Sequence, residues 1–311
     1  MSSHGGTRAV VAALTANAFI ALIKFGAWLL TGAASMLAEA VHSVADTANQ
    51  ILLLIGARSA KQEANEEHPF GYGRARYINA FLVSIILFSL GGLFALYEAF
   101  HKYEEVVSGH PNELLEGPWW WVPLAVLFIS IVAESFSLRT AIRESKPAKG
   151  RQTWTRFIKT AKSPELPVVL LEDFAALLGL FFAVIGVGMT LITKNGLWDV
   201  FGTIMIGLLL IVVAITLAIE TRSLLLGEAA SPEAVAAIRG ALTGADGVRR
   251  VIHLKTLHLG PEEVLVAAKI AVEPTDSAQR VAEVIDNAEA AIRASTPTVT
   301  ALYLEPDIDR A

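Results

Sequence analysis

Six apolar stretches, each long enough to cross a bilayer as a helix, constrain this chain more than any other feature. They lie near 8–31, 33–58, 75–101, 118–142, 165–192 and 197–221. A helix needs about 20 mostly apolar residues to traverse the hydrocarbon core. Inside that core every backbone N–H and C=O must bond internally, so stretches of this length are helices or nothing. The composition agrees: 54% of the 311 residues are hydrophobic and 18% are charged, against roughly a quarter charged in soluble domains. The first, third, fourth and sixth stretches are plainly hydrophobic. The second and fifth carry acids and are expected to score lower. The first stretch continues through Trp28 to Thr31 and reads as an uncleaved helix rather than a short signal peptide.

Basic residues orient the bundle. Arg58, Lys61, Arg74 and Arg76 fall between the second and third stretches, and seven Lys or Arg from Arg143 to Lys162 fall between the fourth and fifth. The loop from Lys102 to Gly117 is instead acidic, with Glu104, Glu105, Glu113 and Glu116. Positive residues favour the cytoplasmic side, which places both termini there. Trp119, Trp120 and Trp121 fit an interfacial aromatic belt on the opposite side. The basic link 146–167 is expected to be partly helical at the membrane surface.

After Arg222 the pattern changes. Residues 225–311 read as a small α+β domain in the order helix, strand, strand, helix, strand, with one sheet covered by two helices. Ser231 before Pro232 is a helix start. The expected division is a transmembrane domain over 1–224 and a cytoplasmic dimerisation or regulatory domain over 225–311. With no basic patch, nucleic acid is not an expected partner. There is no cysteine, so thiolate metal sites and cysteine nucleophiles are excluded.

The candidate chemistry lies within the second and fifth stretches. His42 and Asp46 are one helical turn apart and share a face. Ionisable side chains are costly in a bilayer and normally face a bundle interior or a water path. An imidazole and a carboxylate on one face can supply half of a tetrahedral divalent-metal site; they can equally form an interhelical hydrogen bond. Glu39 and Asn49 extend the stripe, and Glu172 and Asp173 supply carboxylates from the fifth stretch. Adjacent residues point about 100° apart, so one of that pair can bind metal while the other orients a ligand. Glu134 is a further intramembrane acid, with Arg139 as a candidate salt-bridge partner. One nitrogen and two or three oxygens suit Zn²⁺ first, then Mn²⁺, Fe²⁺ or Co²⁺. Protons compete for the same ligands.

These residues, in this order, resemble the cation diffusion facilitator family, and within it the zinc transporter 9-like branch. HSVADTANQ resembles the family's helix-two metal element, HPFGYGRARY the motif before helix three, and VVLLEDFAALLG the helix-five acid. The resemblance implies six transmembrane helices followed by an αββαβ domain, a homodimer in a lipid bilayer, and metal–proton antiport by alternating access. The metal is then cargo, with no permanently bound cofactor and no enzymatic step. Its ligands would be His42, Asp46, Asp173 and Glu172, with Glu39, Asn49, Glu134 and His68 as accessories. A bacterial-type inner membrane is the expected location.

The chain departs from the family pattern in three places, and its tail keeps His253, His258 and Glu305 as polar candidates. Val169 stands where many members place a second helix-five ligand. Tyr72 replaces a His, leaving His68 beside Pro69 as a turn residue. Tyr303 replaces a tail His. His253 and His258, alternating along a strand, face opposite sides unless a bulge intervenes. The tail is therefore expected to hold a dimer together rather than bind metal. Alternatives to export are a transport-deficient scaffold or metal sensor, and an exporter preferring Mn²⁺ or Fe²⁺. An intramembrane metalloenzyme finds no His-Glu-x-x-His element.

Overall fold

The structure is a computed structural model that describes residues 3–309, with side chains from residue 17 onward. Its chain divides into two units, one comprising 1–55 and 79–221, the other 56–78 and 222–311. The short segment between the second and third helices thus groups with the C-terminal residues.

The first unit is helical. It contains α1 (Ser3–Thr31), α2 (Ala34–Ser59), α3 (Ala75–Ile86), a π-helical segment (Leu87–Leu93), α4 (Phe94–Val107), α5 (Glu113–Glu116), α6 (Val122–Lys149), α7 (Trp154–Thr160), α8 (Glu165–Thr193) and α9 (Leu197–Leu226). The six expected spans are all present. Four are strongly apolar over a membrane-spanning length: 75–107, 122–149, 165–193 and 197–226. In α1 the apolar stretch among the described side chains is Asn17–Thr31. α2 scores lower, as expected from its polar stripe. The fifth span departs from expectation: α8 is strongly apolar, because Leu, Val, Phe and Ala surround Glu172 and Asp173 along its 29 residues.

Two boundaries also move. The acidic stretch expected as a loop from Lys102 is helical to Val107. Lys102 pairs with Glu105 one turn on, at 2.9 Å, and Gly109, at φ 72°, permits the left-handed exit. The fourth span runs past 142 to Lys149, where Gly150 (φ 55°) ends it with its N–H on the Lys146 carbonyl. The basic link is indeed part helix: Thr153 caps α7 through the Arg156 N–H.

Small residues set the helix spacing. The buried face of α2 includes Ala34, Ser35, Ala38, Ala40 and Ala45, and that of α8 includes Ala175, Ala176, Gly179, Ala183 and Gly186. A Cβ placed on Gly202 of α9 would lie 2.9 Å from the Phe182 carbonyl and 3.2 Å from Gly186 Cα. The two backbones touch there, the close approach that small residues permit between membrane helices. Large apolar side chains point outward instead, including Phe128, Phe136, Phe181, Ile192, Val212 and Ile219. Such a surface suits hydrocarbon tails rather than water. Trp119, Trp120 and Trp121 are each about half exposed.

The second unit carries the expected αββαβ order: α10 (Pro232–Gly244), β1 (Arg250–Gly260), β2 (Glu263–Val272), α11 (Ala278–Ser295) and β3 (Val299–Ile308). Ser231 caps α10 through the Ala234 N–H, with Pro232 at the first helical position. β2 is central, antiparallel to β1 and parallel to β3. The parallel pair requires a crossover, which α11 provides. Alternate β2 residues Val264, Val266, Ala268 and Ile270 pack with Ile238 and Leu242 of α10 and with Val284, Ala288 and Ile292 of α11. His253 is exposed and His258 buried, its Nδ1 3.1 Å from the Gly260 carbonyl. The β1 register shifts flank this pair, at Val251/His253 and His258/Gly260, so the two imidazoles stay on opposite faces.

Segment 56–78 packs against the β1–β2 turn. A Cβ on Gly260 would lie 2.9 Å from Gly73 Cα, and one on Gly73 would lie 2.9 Å from the Leu259 carbonyl and collide with the Glu263 carboxylate. Burial pushes the Glu263 carboxyl above its ordinary value, partly offset by Arg76.

Candidate metal site

The helical stripe on α2 is present as its spacing requires. Glu39, His42, Ser43 and Asn49 are all buried, and Asp46 is largely so. His42 Nδ1 lies 3.5 Å from Asp46 Oδ1. That is too long for a hydrogen bond, and neither imidazole nitrogen has a hydrogen-bond partner. A buried polar atom left unpaired is costly, so an imidazole with both nitrogens open is suited to a ligand that arrives later.

α8 supplies the opposing acids. Asn49 donates from Nδ2 to Glu172 Oε1 at 2.7 Å. Farther along, Gly179 is where a Cβ would come within 2.8 Å of Glu39 Oε1. These two contacts fix α2 and α8 as antiparallel neighbours. Ten residues of α2 and seven of α8 separate them, or about 15 Å and about 10 Å of helix rise. Linear interpolation between them puts Asp46 opposite position 174, about one residue of helix rise from Asp173. Asp173 also accepts a hydrogen bond from Ser137 of α6 at 2.9 Å, which fixes one of its oxygens.

The expected residues therefore separate into groups. His42 and Asp46 share one buried face of α2, Glu172 is turned to Asn49, and Asp173 is held by Ser137. Among the described residues no three His, Asp or Glu groups are gathered tightly enough to hold an ion together. Glu134 is partly buried on α6. Its expected partner Arg139 is exposed, five residues on and about 140° around the helix, and no ion pair joins them among the described residues. His68 belongs to the other unit, where it is engaged locally. Asn65 accepts from its backbone N–H at 2.7 Å, Asn65 Nδ2 bonds Tyr72 Oη at 2.9 Å, and the His68 and Tyr72 rings stack edge-on at 4.4 Å. Val169 packs beside the apolar core.

Three polar contacts made by α2 and α8 were not anticipated. Lys24 of α1 is fully buried, with Nζ 2.9 Å from Glu39 Oε2 and 2.9 Å from Ser43 Oγ. A lone lysine in an apolar run was the available signal. Ser137 holds Asp173. Asp199, 1% exposed at the start of α9, caps α2 by accepting from the Ala34 N–H at 2.7 Å, the Ser35 N–H at 3.3 Å and the Ser35 hydroxyl.

Comparison with known proteins bears on the whole chain. Residues 10–226 match the cation efflux transmembrane domain, and residues 230–306 the cation efflux protein cytoplasmic domain. Among curated relatives, the proton-coupled zinc antiporter SLC30A9, mitochondrial, of Mus musculus is 34% identical over 269 residues, covering 86% of this chain and 46% of that protein. Metal tolerance protein C4 of Arabidopsis thaliana is 30% identical over 267 residues, covering 85% and 56%. Magnetosome protein MamM of Magnetospirillum gryphiswaldense is 22% identical over 298 residues, covering 94% and 86%. The chain spans about half the length of the first two relatives. A MamM C-terminal domain structure, 24% identical, covers 25% of this chain and 94% of its own, with a TM-score of 0.24. With the transmembrane match extending over more than half of its residues and the cytoplasmic match following it, the chain belongs to the cation efflux family, the cation diffusion facilitators.

Proposed function

We propose that this protein exports a divalent metal cation, Zn²⁺ first, by exchange with protons, as a homodimer that alternates access across the membrane. The observation that carries this reading is the buried face of His42 and Asp46 on α2, whose imidazole nitrogens have no hydrogen-bond partner, beside the stretch of α8 that carries Glu172 and Asp173. A neutral imidazole and two carboxylates suit Zn²⁺. Glu172 or a water completes four-coordination in place of a ligand at Val169. The ligands bind metal only when deprotonated, so a proton arriving from the far side displaces the ion. Relatives named as proton-coupled zinc antiporters support the same pairing of ions. Within this reading, residues 1–224 carry transport, and 225–311 associate with a second copy. Both termini lie on the cytoplasmic side of a bacterial-type inner membrane; the SLC30A9 relatives are named mitochondrial.

A second reading is a metal sensor or scaffold without transport, favoured by Val169 and by the engagement of Glu172 with Asn49. Metal flux into proteoliposomes separates them. Zn²⁺, Mn²⁺, Fe²⁺ and Co²⁺ are compared under an imposed proton gradient, for the wild-type protein, Asp46→Asn and Asp173→Asn. Gradient-driven Zn²⁺ flux lost in both variants is the expected result. Flux preferring Mn²⁺ or Fe²⁺ would overturn the metal, and no flux from folded wild-type protein would favour the sensor.

A further inference from the structure

We propose that Lys24 is a specificity-determining residue: its ammonium sequesters Glu39 and keeps a further carboxylate out of the coordination sphere of the transported ion. This inference rests on the metal-site reading above. Lys24 comes from α1, whereas the candidate ligands come from α2 and α8. Its side chain is 1% exposed and Glu39 is 0% exposed, so neither charge is relieved by solvent. Nζ bonds Glu39 Oε2 and Ser43 Oγ, both at 2.9 Å. Ser43 adjoins His42, and Glu39 lies three residues before it, so the ammonium sits against the stripe itself.

Glu39 Oε1 has no hydrogen-bond partner. It occupies the space left by the missing side chain at Gly179, where a Cβ would lie 2.8 Å away. A buried carboxylate with one free oxygen, one turn from His42, would be a ready ligand if its charge were not already compensated. The consequence is chemical. Without Glu39, the site offers one imidazole and a small number of oxygens, a set suited to four-coordinate Zn²⁺. With Glu39 released, the balance moves toward oxygen-rich, higher-coordinate ions such as Mn²⁺. The fixed positive charge also opposes an over-tight hold on a dication, which favours release. No other described Lys or Arg forms an ion pair with Glu39 or Asp46.

The test is equilibrium binding and proteoliposome flux of Zn²⁺ and Mn²⁺ for the full chain and for Lys24→Gln, Glu39→Gln and the double variant Lys24→Gln/Glu39→Gln. Lys24→Gln is expected to bind Mn²⁺ about tenfold more tightly relative to Zn²⁺ and to release Zn²⁺ more slowly. The double variant, neutral at both positions and close in shape to the native pair, is expected to recover the wild-type Zn²⁺-to-Mn²⁺ preference. An unchanged metal preference in folded Lys24→Gln would overturn the inference. If that variant does not fold, the double variant decides: a changed preference there overturns it as well, because Glu39 would then be needed at the ion. Wild-type protein that binds neither metal would instead sink the metal-site reading beneath it.

Discussion

Asp199→Ala should destabilise the bundle by about 3 kcal/mol, with the loss centred on the start of α2. The first N–H groups of a helix have no partner within it. Here two of them, from Ala34 and Ser35, are satisfied by a carboxylate from the start of α9, over 160 residues away in sequence. Ser35 adds its hydroxyl as a third donor. Hydrogen bonds to a charged group contribute about 1.5–3 kcal/mol each, and a buried donor left without an acceptor costs about 1–3 kcal/mol. Two stranded N–H groups therefore cost roughly 2–6 kcal/mol, and removing a buried carboxylate returns part of that through relieved desolvation. Asp199→Asn should lose only about 1–2 kcal/mol, because its single amide oxygen can still accept from one N–H. Unfolding in mixed micelles, followed by circular dichroism as the denaturing detergent fraction rises, gives both differences. A Ser35→Ala, Asp199→Ala cycle should be non-additive, since the two side chains share a bond. Asp199→Ala within about 0.5 kcal/mol of wild type would refute the reasoning, because the α2 start would then have another acceptor.

Further outcomes follow from backbone contacts and from one titrating group. Gly202→Val places a side chain against the Phe182 carbonyl and Gly186; forcing α8 and α9 apart should cost about 1–3 kcal/mol in the same unfolding assay. Gly73→Ala drives a methyl toward the Leu259 carbonyl and the Glu263 carboxylate, so amide hydrogen exchange at the β1–β2 turn should accelerate while exchange in the β2 core stays unchanged. Burial raises the Glu263 carboxyl above 4.5, so the folded state holds this proton more strongly than the unfolded one. Its favourable contribution is present in full below pH 4.5 and is lost as pH rises through the folded value. Exchange at the same turn should therefore slow on acidification through that window, and Glu263→Gln should abolish this dependence.

Much of the architecture was legible because membrane and sheet periodicities leave strong marks. Runs of 20 apolar residues located all six spans, and the turn residues between the two apolar stretches after Arg249 marked the first two strands, although not which of them is central. The stripe from His42 to Asn49 was legible for a similar reason, since four-residue spacing fixes a shared helix face wherever the helix sits. What escaped depends on neighbours far away in sequence. Lys24 reads as one polar interruption in an apolar run, and only the packing of α1 against α2 supplies Glu39. Asp199 reads as a loop acid until the approach of α9 sets it over the α2 start. Ser137 differs in no visible way from Ser135, yet Ser137 bonds Asp173 and Ser135 bonds its own helix backbone. The Glu134–Arg139 pairing failed on geometry that the sequence does contain, because five residues is a poor spacing for two groups on one helix.

The π-helical segment at Leu87–Leu93 has a consequence for how this span can vary. Its i→i+5 bonding takes one residue more than an α-helical turn. The buried positions Tyr77, Ala80, Ser84, Leu87, Gly91, Ala95, Ala99 and Lys102 nonetheless keep a helical spacing along the sequence. In space the extra residue rotates the second half by about 100° relative to an unbroken helix. The span therefore shows one azimuth before Leu87 and another after Leu93, and within the segment Gly92 meets Gly207. A chain shorter by one residue within this segment could close into a regular helix while both flanks keep their neighbours, making 87–93 a stretch where length itself is tolerant.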